Sequence, residues 1–315
     1  MKILLTNQSL QYVGGTEKWT YTMAKCLADR GHEIDVLTLM EGMTSERMVS
    51  FARIADKPLR PEYDLILANH GTAFYRTRET DGFKVFTSHG PTHRLEMPIG
   101  GADVYVGVSK EVVSRRLSES FPKDMLVITN GVDLTDFRPP SPRPIRDVPH
   151  VLVACKSAEA GNLACAAAEA SGCTVEPVHY LSEPVWDMAA RMRGADMVVG
   201  AGRTAIEALA CGANVLCYDM RSKPHGPRTD GWITAVNVNH LAQVNFSTRA
   251  YGNVCDYAAL VKLFATRPES GTWQRAWAEE NADIQTKADA YLSLLPKQDP
   301  VIEPDLTAEY EGVSV

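Results

Sequence analysis

No stretch of this 315-residue sequence approaches the roughly 18 consecutive apolar residues that a membrane-spanning helix requires. The N-terminal MKILLTNQSL breaks off after the short apolar run Ile3–Leu5, too short for the core of a secretory signal, so the expected location is cytoplasmic, without stable membrane insertion. Cysteine is sparse and unpaired in pattern: there are seven, an odd number, with no Cys-x-x-Cys pair. That argues against a disulfide framework or a zinc ribbon, and Cys26, Cys165, Cys211 and Cys217 sit in apolar patterns as reduced core residues. The absence of a short-period repeat or low-complexity segment excludes a solenoid. An excess of positive charge is also missing. Residues 1–140 carry 17 Lys and Arg against 18 Asp and Glu, and the remainder carries 15 against 21, for a net charge of −7. Nothing here advertises nucleic-acid binding. Part of the acidity belongs to residues 296–315, a Pro-containing segment with one lysine and five carboxylates that is expected to be disordered.

What remains is a globular composition, 45% hydrophobic and 23% charged, in a chain long enough for two domains. KILLT, EIDVLTL, DLILAN, KVFTSH, DVYVGVS and MLVIT read as strands, with helical patterns between several of them; TEKWTYTMAKCLADRG is a helix closed by Gly31. This alternation predicts a doubly wound parallel sheet. Five prolines between Phe137 and His150 mark a linker. The alternation then restarts with HVLVACK, GNLACAAAEASG, CTVEPVHYL and EPVWDMAARMRG, and ends in one long helical pattern, GTWQRAWAEENADIQTKADAYLSLL. Two α/β domains are therefore expected, 1–140 and 141–295, with the final helix able to pack back on the first. Ligands of such sheets bind at the carboxyl ends of the strands, so the site is expected in the cleft between the domains.

Val198–Asp219, VVGAGRTAIEALACGANVLCYD, is a strand-turn-helix-strand unit. Its glycines permit close backbone approach, and the helix start offers free N–H groups and a positive dipole end to an anion such as phosphate. Glu207 is a charged residue among apolar neighbours.

YVGGTEKWTYTMAKCLADRGHEIDVLT, VGVSKEVVSRRL, VITNGVDLTDFRP and the Val198–Asp219 unit resemble, in order and across about residues 1–295, the family-4 retaining glycosyltransferases. The resemblance implies the GT-B fold, a nucleotide-sugar donor held mainly by the C-terminal domain, transfer with retention, and no cofactor or metal. Consistently, no Asp-x-Asp motif is present. By the same resemblance Glu207, in EALACG, would accept hydrogen bonds from the donor ribose, which suits a carboxylate facing a diol. The backbone of Gly202, Arg203 and Thr204 would hold the diphosphate. Lys156 stands where the family has an arginine, and Arg203 could add a second charge on the leaving group. Ala160 replaces the lysine expected next, and Val199 replaces the first glutamate of the family's pair. Gly14 and Gly15 would approach the donor, with Thr16, Glu17 and His70 on the acceptor side. His89 would orient the acceptor or take its proton. Arg221, Lys223 and Arg228 could line the cleft.

Two other readings stay open. GAGRTA followed by Asp219 fits a dinucleotide fingerprint and would make the chain an NAD-dependent oxidoreductase. The two departures at Ala160 and Val199 suit a non-catalytic nucleotide-sugar-binding scaffold. Uridine diphosphate is the most frequent carrier in the family. For the hydroxyl acceptor, a glycan or lipid-linked sugar comes first, with a protein, a small metabolite or a modified base of viral DNA as alternatives. A DNA acceptor would need Arg76, Arg78, Arg94, Arg115 and Arg116 to form a basic groove.

Overall fold

A computed structural model describes residues 1–118, 122, 124–142, 144–178, 185–220, 226–269 and 271–296. Arg221, Lys223 and the acidic segment from 297 onward lie outside the described residues.

The first unit is a seven-stranded sheet in the order β3-β2-β1-β4-β5-β6-β7, all pairs parallel. Its strands are β1 (Lys2–Ser9), β2 (Glu33–Met40), β3 (Arg53–Ala55), β4 (Glu62–Ala68), β5 (Asp81–Ser88), β6 (Val104–Gly107) and β7 (Leu126–Val127). The connecting helices are α1 (Gly15–Asp29), α2 (Met43–Glu46), α3 (Gly71–Tyr75) and α4 (Lys110–Leu117). Alternation along the strands feeds both faces, because successive side chains point to opposite sides. Ile3, Leu5, Leu67 and Val85 pack with Trp19, Met23 and Leu27 of α1, whereas Leu4, Leu37 and Ile66 pack with Ala73 of α3.

The second unit has the strand order β13-β12-β11-β10-β8-β9. Its strands are β8 (His150–Val153), β9 (Thr174–Pro177), β10 (Met197–Gly200), β11 (Asn214–Asp219), β12 (Arg228–Trp232) and β13 (Asn253–Val254). Helices α5 (Ala158–Ala170), α6 (Met188–Gly194), α7 (Arg203–Ala210), α8 (Val238–Ala242) and α9 (Tyr257–Ala265) belong to it. β8 to β11 are parallel, but β12 and β13 run antiparallel. The link from Asp219 to Arg228 is shorter than the roughly dozen residues a parallel crossover needs, so the chain can only turn back. The helix expected over EPVWDMAARMRG begins only at Met188.

The long C-terminal helical pattern is in fact two helices, α10 (Trp273–Asn281) and α11 (Ile284–Leu292). α10 sends Ala278, Trp273 and Trp277 into the core of the second unit, and α11 sends Ile284, Ala288 and Tyr291 into that of the first. One straight helix cannot serve both cores. Asp283 makes the break, with extended backbone and a carboxylate accepting from the Gln285 N–H at 2.9 Å. At this point the chain crosses between the units for the second time, alongside the first crossing. Val132 N–H donates to Ala282 O (2.8 Å) and Ile284 N–H to Val132 O (3.1 Å). Gly131 allows the approach: a Cβ there would lie 2.9 Å from Ile284 Cα. Phe137, at the start of the proline-rich segment, is buried in the second core.

Candidate functional site

The carboxyl ends of the two sheets face each other, and the chemistry-bearing side chains gather there. Gly202 has φ +65°, a conformation that favours glycine, and it starts α7. The expectation that its amide holds a phosphate is corrected by the structure: Gly202 N–H donates to Phe246 O at 2.7 Å, so the loop before Ser247 already uses it. Arg203 and Glu207, one turn apart on α7, form an ion pair between Nε and Oε1 at 2.7 Å, with side chains only 11% and 7% exposed. Arg203 also donates through one terminal nitrogen to Thr22 Oγ1 of α1 at 3.2 Å, which ties the two units together. Its other terminal nitrogen is buried without a hydrogen-bond partner among the described residues. Glu207 therefore keeps one oxygen for a ligand rather than the two that a free carboxylate would offer. Thr204 closes the turn by packing its Cγ2 under Gly200, where a Cβ would come within 2.7 Å.

Across the cleft, Gly14 caps α1 and Gly15 is open above its Cα position. Glu17 turns back over this loop. Its Oε2 accepts from Thr16 Oγ1 at 3.0 Å and occupies the space that a Gly14 side chain would fill. Glu17 and Thr16 thus bond to each other at the helix start, where an acidic group also meets the positive dipole end. Burial raises the Glu17 pKa, with Lys156 acting in the opposite direction. Glu96, which closes a 3₁₀ turn over Arg94–Glu96, joins this group. Burial pushes its carboxyl up to about 7 against the pull of Arg116 and Lys156. Lys156 is exposed, and its backbone N–H donates to Asp219 Oδ2 (3.2 Å), as does that of Ser157 to Oδ1 (3.2 Å). Asp219 is consumed by the loop after β8, which removes the acidic residue that a dinucleotide fingerprint would direct at a ribose.

Both histidines lie at strand ends of the first unit. His70 caps α3 and accepts from Gln8 N–H through Nδ1 at 3.2 Å; burial lowers its pKa to about 4. His89 follows β5, bonds Asn69 Oδ1 through Nε2 at 3.0 Å and stands edge-on to Trp19. Burial, with His70 and Arg203 nearby, lowers its pKa to about 3. A neutral imidazole of that basicity is a hydrogen-bonding group and a weak proton acceptor, so the proton-taking role raised for His89 is not favoured.

Sequence reasoning missed a second contact between the units. Trp186 of the second unit lies under Lys18 Nζ (3.8 Å to the ring centroid) and Arg47 (4.6 Å), with Tyr21 edge-on at 4.7 Å. Lys18 also donates to Trp186 O at 3.3 Å, and burial lowers its pKa against the attraction of Glu207. Lys18 thereby brings a cation close to the Arg203–Glu207 pair. Of the arginines proposed for a basic groove, Arg116 is buried and holds Gly90 O and His93 O, so it is not available to DNA. Arg228 is directed at Gly252 O rather than toward the cleft.

No protein-family profile and no curated protein matches the sequence. Solved structures match over nearly its whole length. A glycosyltransferase from Rickettsia africae ESF-5 superposes with a TM-score of 0.55 at 13% identity, covering 93% of this chain and 97% of that one. Anabaena Alr3699/HepE, in complex with UDP, gives a TM-score of 0.59 at 16% identity over 94% and 99% of the chains. WaaG, a glycosyltransferase involved in lipopolysaccharide biosynthesis, gives 0.55 at 12% over 94% and 100%. The chain has the GT-B fold of these glycosyltransferases.

Proposed function

We propose that the chain is a family-4-like retaining glycosyltransferase that moves a sugar from a nucleoside-diphosphate sugar to a hydroxyl acceptor. The observation that carries this reading is the Arg203–Glu207 pair at the start of α7, docked on α1 at the facing strand ends. The free oxygen of Glu207 accepts from a donor ribose hydroxyl. The unpartnered nitrogen of Arg203 and the ammonium of Lys156 meet the diphosphate, and Gly15 leaves the backbone open to it. As the bond from the anomeric carbon to the β-phosphate oxygen breaks, negative charge builds on the diphosphate; the acceptor oxygen bonds to that carbon on the same face, and its proton passes to the departing phosphate oxygen. The Arg203 guanidinium, held by Glu207 and Thr22, and the exposed ammonium of Lys156 stabilise that charge without a metal ion. Neutral His89 positions a sugar hydroxyl. The UDP complex of the Anabaena neighbour makes UDP the first carrier to try. A glycan or lipid-linked sugar is the first acceptor to try; of the five arginines a DNA acceptor would call on, Arg116 is buried and Arg76, Arg78, Arg94 and Arg115 are exposed. The donor pool of such an enzyme is cytoplasmic.

Thermal unfolding with UDP, GDP, ADP, their sugar conjugates, NAD and NADP tests the proposal, because a ligand of the native state raises the midpoint. Stabilisation by one nucleoside diphosphate and its sugar is expected. Stabilisation by NAD or NADP alone would refute it.

A further inference from the structure

A buried polar chain runs behind the cleft from β1 to β5. Asn7, Thr20, Asn69 and the ring of His89 are linked: Asn7 Nδ2 to Thr20 Oγ1 at 2.9 Å, Asn69 Nδ2 to the same oxygen at 2.9 Å, and Asn69 Oδ1 to His89 Nε2 at 3.0 Å. Asn7, Thr20 and Asn69 are each 0% exposed. In such surroundings every donor and acceptor must be matched, so the network can be solved as a set of constraints.

The solution starts at two groups that have no choice. The Ser9 backbone N–H can only donate, and it reaches Asn7 Oδ1 at 3.3 Å. That fixes the Asn7 amide with Nδ2 toward Thr20. The Thr16 carbonyl can only accept, and Thr20 Oγ1 lies 2.9 Å from it, so the single hydroxyl proton of Thr20 goes there. Thr20 then offers lone pairs only. Asn69 must present its NH₂ to Thr20 and its carbonyl to His89, and a carbonyl can receive only from a protonated Nε2.

We infer that Thr20, acting through Asn69, sets the tautomer of His89: Nε2 carries the proton and Nδ1 presents a lone pair. Nδ1 makes no hydrogen bond to the described residues, so it is the atom left to accept from a ligand hydroxyl. Thr20 is a positioning residue, three bonds of the network away from any substrate. The recognition of a hydroxyl rests on the transferase reading; the tautomer does not.

Long-range ¹H–¹⁵N correlation spectra of the ¹⁵N-histidine-labelled protein at pH 7, without ligand, read the tautomer directly. The chain has eight histidines, so His89→Gln identifies the signal. The expected wild-type pattern is a protonated Nε2 and an unprotonated Nδ1. Thr20→Val, of the same shape without the lone pairs, releases Asn69 and populates both tautomers, while Thr20→Ser preserves the wild-type pattern. A wild-type signal with the proton on Nδ1 would overturn the inference, and so would a Thr20→Val spectrum identical to wild type. The wild-type spectrum decides the assignment even if Thr20→Val fails to fold. Calorimetry with UDP, GDP, ADP and their sugar conjugates separates the two readings: a correct tautomer with none of these bound retires the transferase and leaves the relay.

Discussion

In the proposed reading Glu207 has two partners, Arg203 through one oxygen and a donor ribose through the other, and two substitutions pull these roles apart. Glu207→Ala leaves a guanidinium that is 11% exposed, with one nitrogen already unpartnered and Nε newly so. Removing one member of a buried pair typically costs about 3–5 kcal/mol. The surviving bond to Thr22 sets the expectation at the low end, about 3 kcal/mol by that scale, read as a lower urea midpoint with an unchanged m-value. Glu207→Gln keeps an oxygen for Arg203 and removes the charge, so most of the fold stability survives. Its effect falls on the donor. A hydrogen bond to a charged group contributes about 1.5–3 kcal/mol, so UDP affinity should drop about 10- to 150-fold in titration calorimetry at fixed salt. UDP binding by Glu207→Gln within twofold of wild type would refute the ribose assignment. A loss below about 1 kcal/mol in Glu207→Ala, well under the range for a broken buried pair, would refute the reasoning about that pair.

Buried titratable groups give opposing pH slopes. His70 and His89 have folded pKa values lowered to about 4 and 3, so their contribution is complete above the ordinary histidine value of about 6.5 and is lost as pH falls below it. Glu96, raised to about 7, contributes below its ordinary value and loses that contribution as pH rises toward 7. Glu96→Gln should therefore make the urea midpoint climb more steeply between pH 4.5 and 7; an unchanged slope would contradict the burial of Glu96. Asp283→Ala removes the cap of α11 and should destabilise the protein by about 1 kcal/mol, with Asp283→Ser recovering most of it in the same assay. Thiol titration of the native protein should modify Cys165 alone, the one cysteine of the seven that is not buried, and all seven after denaturation.

Much of the sheet architecture was legible in the sequence because apolar runs such as KILLT and DLILAN have strand length and alternate with longer helical patterns along the chain. The antiparallel turn at β12 was in principle readable from the short link after Asp219. The break at Asp283 had a local signal too, an aspartate between two helical patterns, but the apolar spacing of Trp273 through Leu292 masked it by continuing at helical period on both sides. The Arg203–Glu207 pair follows from i,i+4 spacing on a helix. Other features had no local signal. Nothing near Asp219 announces that two backbone amides more than sixty residues earlier will take its carboxylate. The stacking of Lys18 and Arg47 on Trp186 joins residues that only the folded chain brings together. The relay through Thr20 depends on who donates and who accepts, which spacing does not encode.

The paired crossings at Val132 and Ala282–Ile284 have a mechanical consequence. A single connecting strand would let the two units swing, twist and slide independently. Here the two crossings are bonded to each other at Val132, and the units are joined again at Arg203–Thr22, Lys18–Trp186 and Arg249–Glu111. Resistance to relative twisting is thereby shared among separated points, so loss of any single side chain leaves the others to hold the two faces in register.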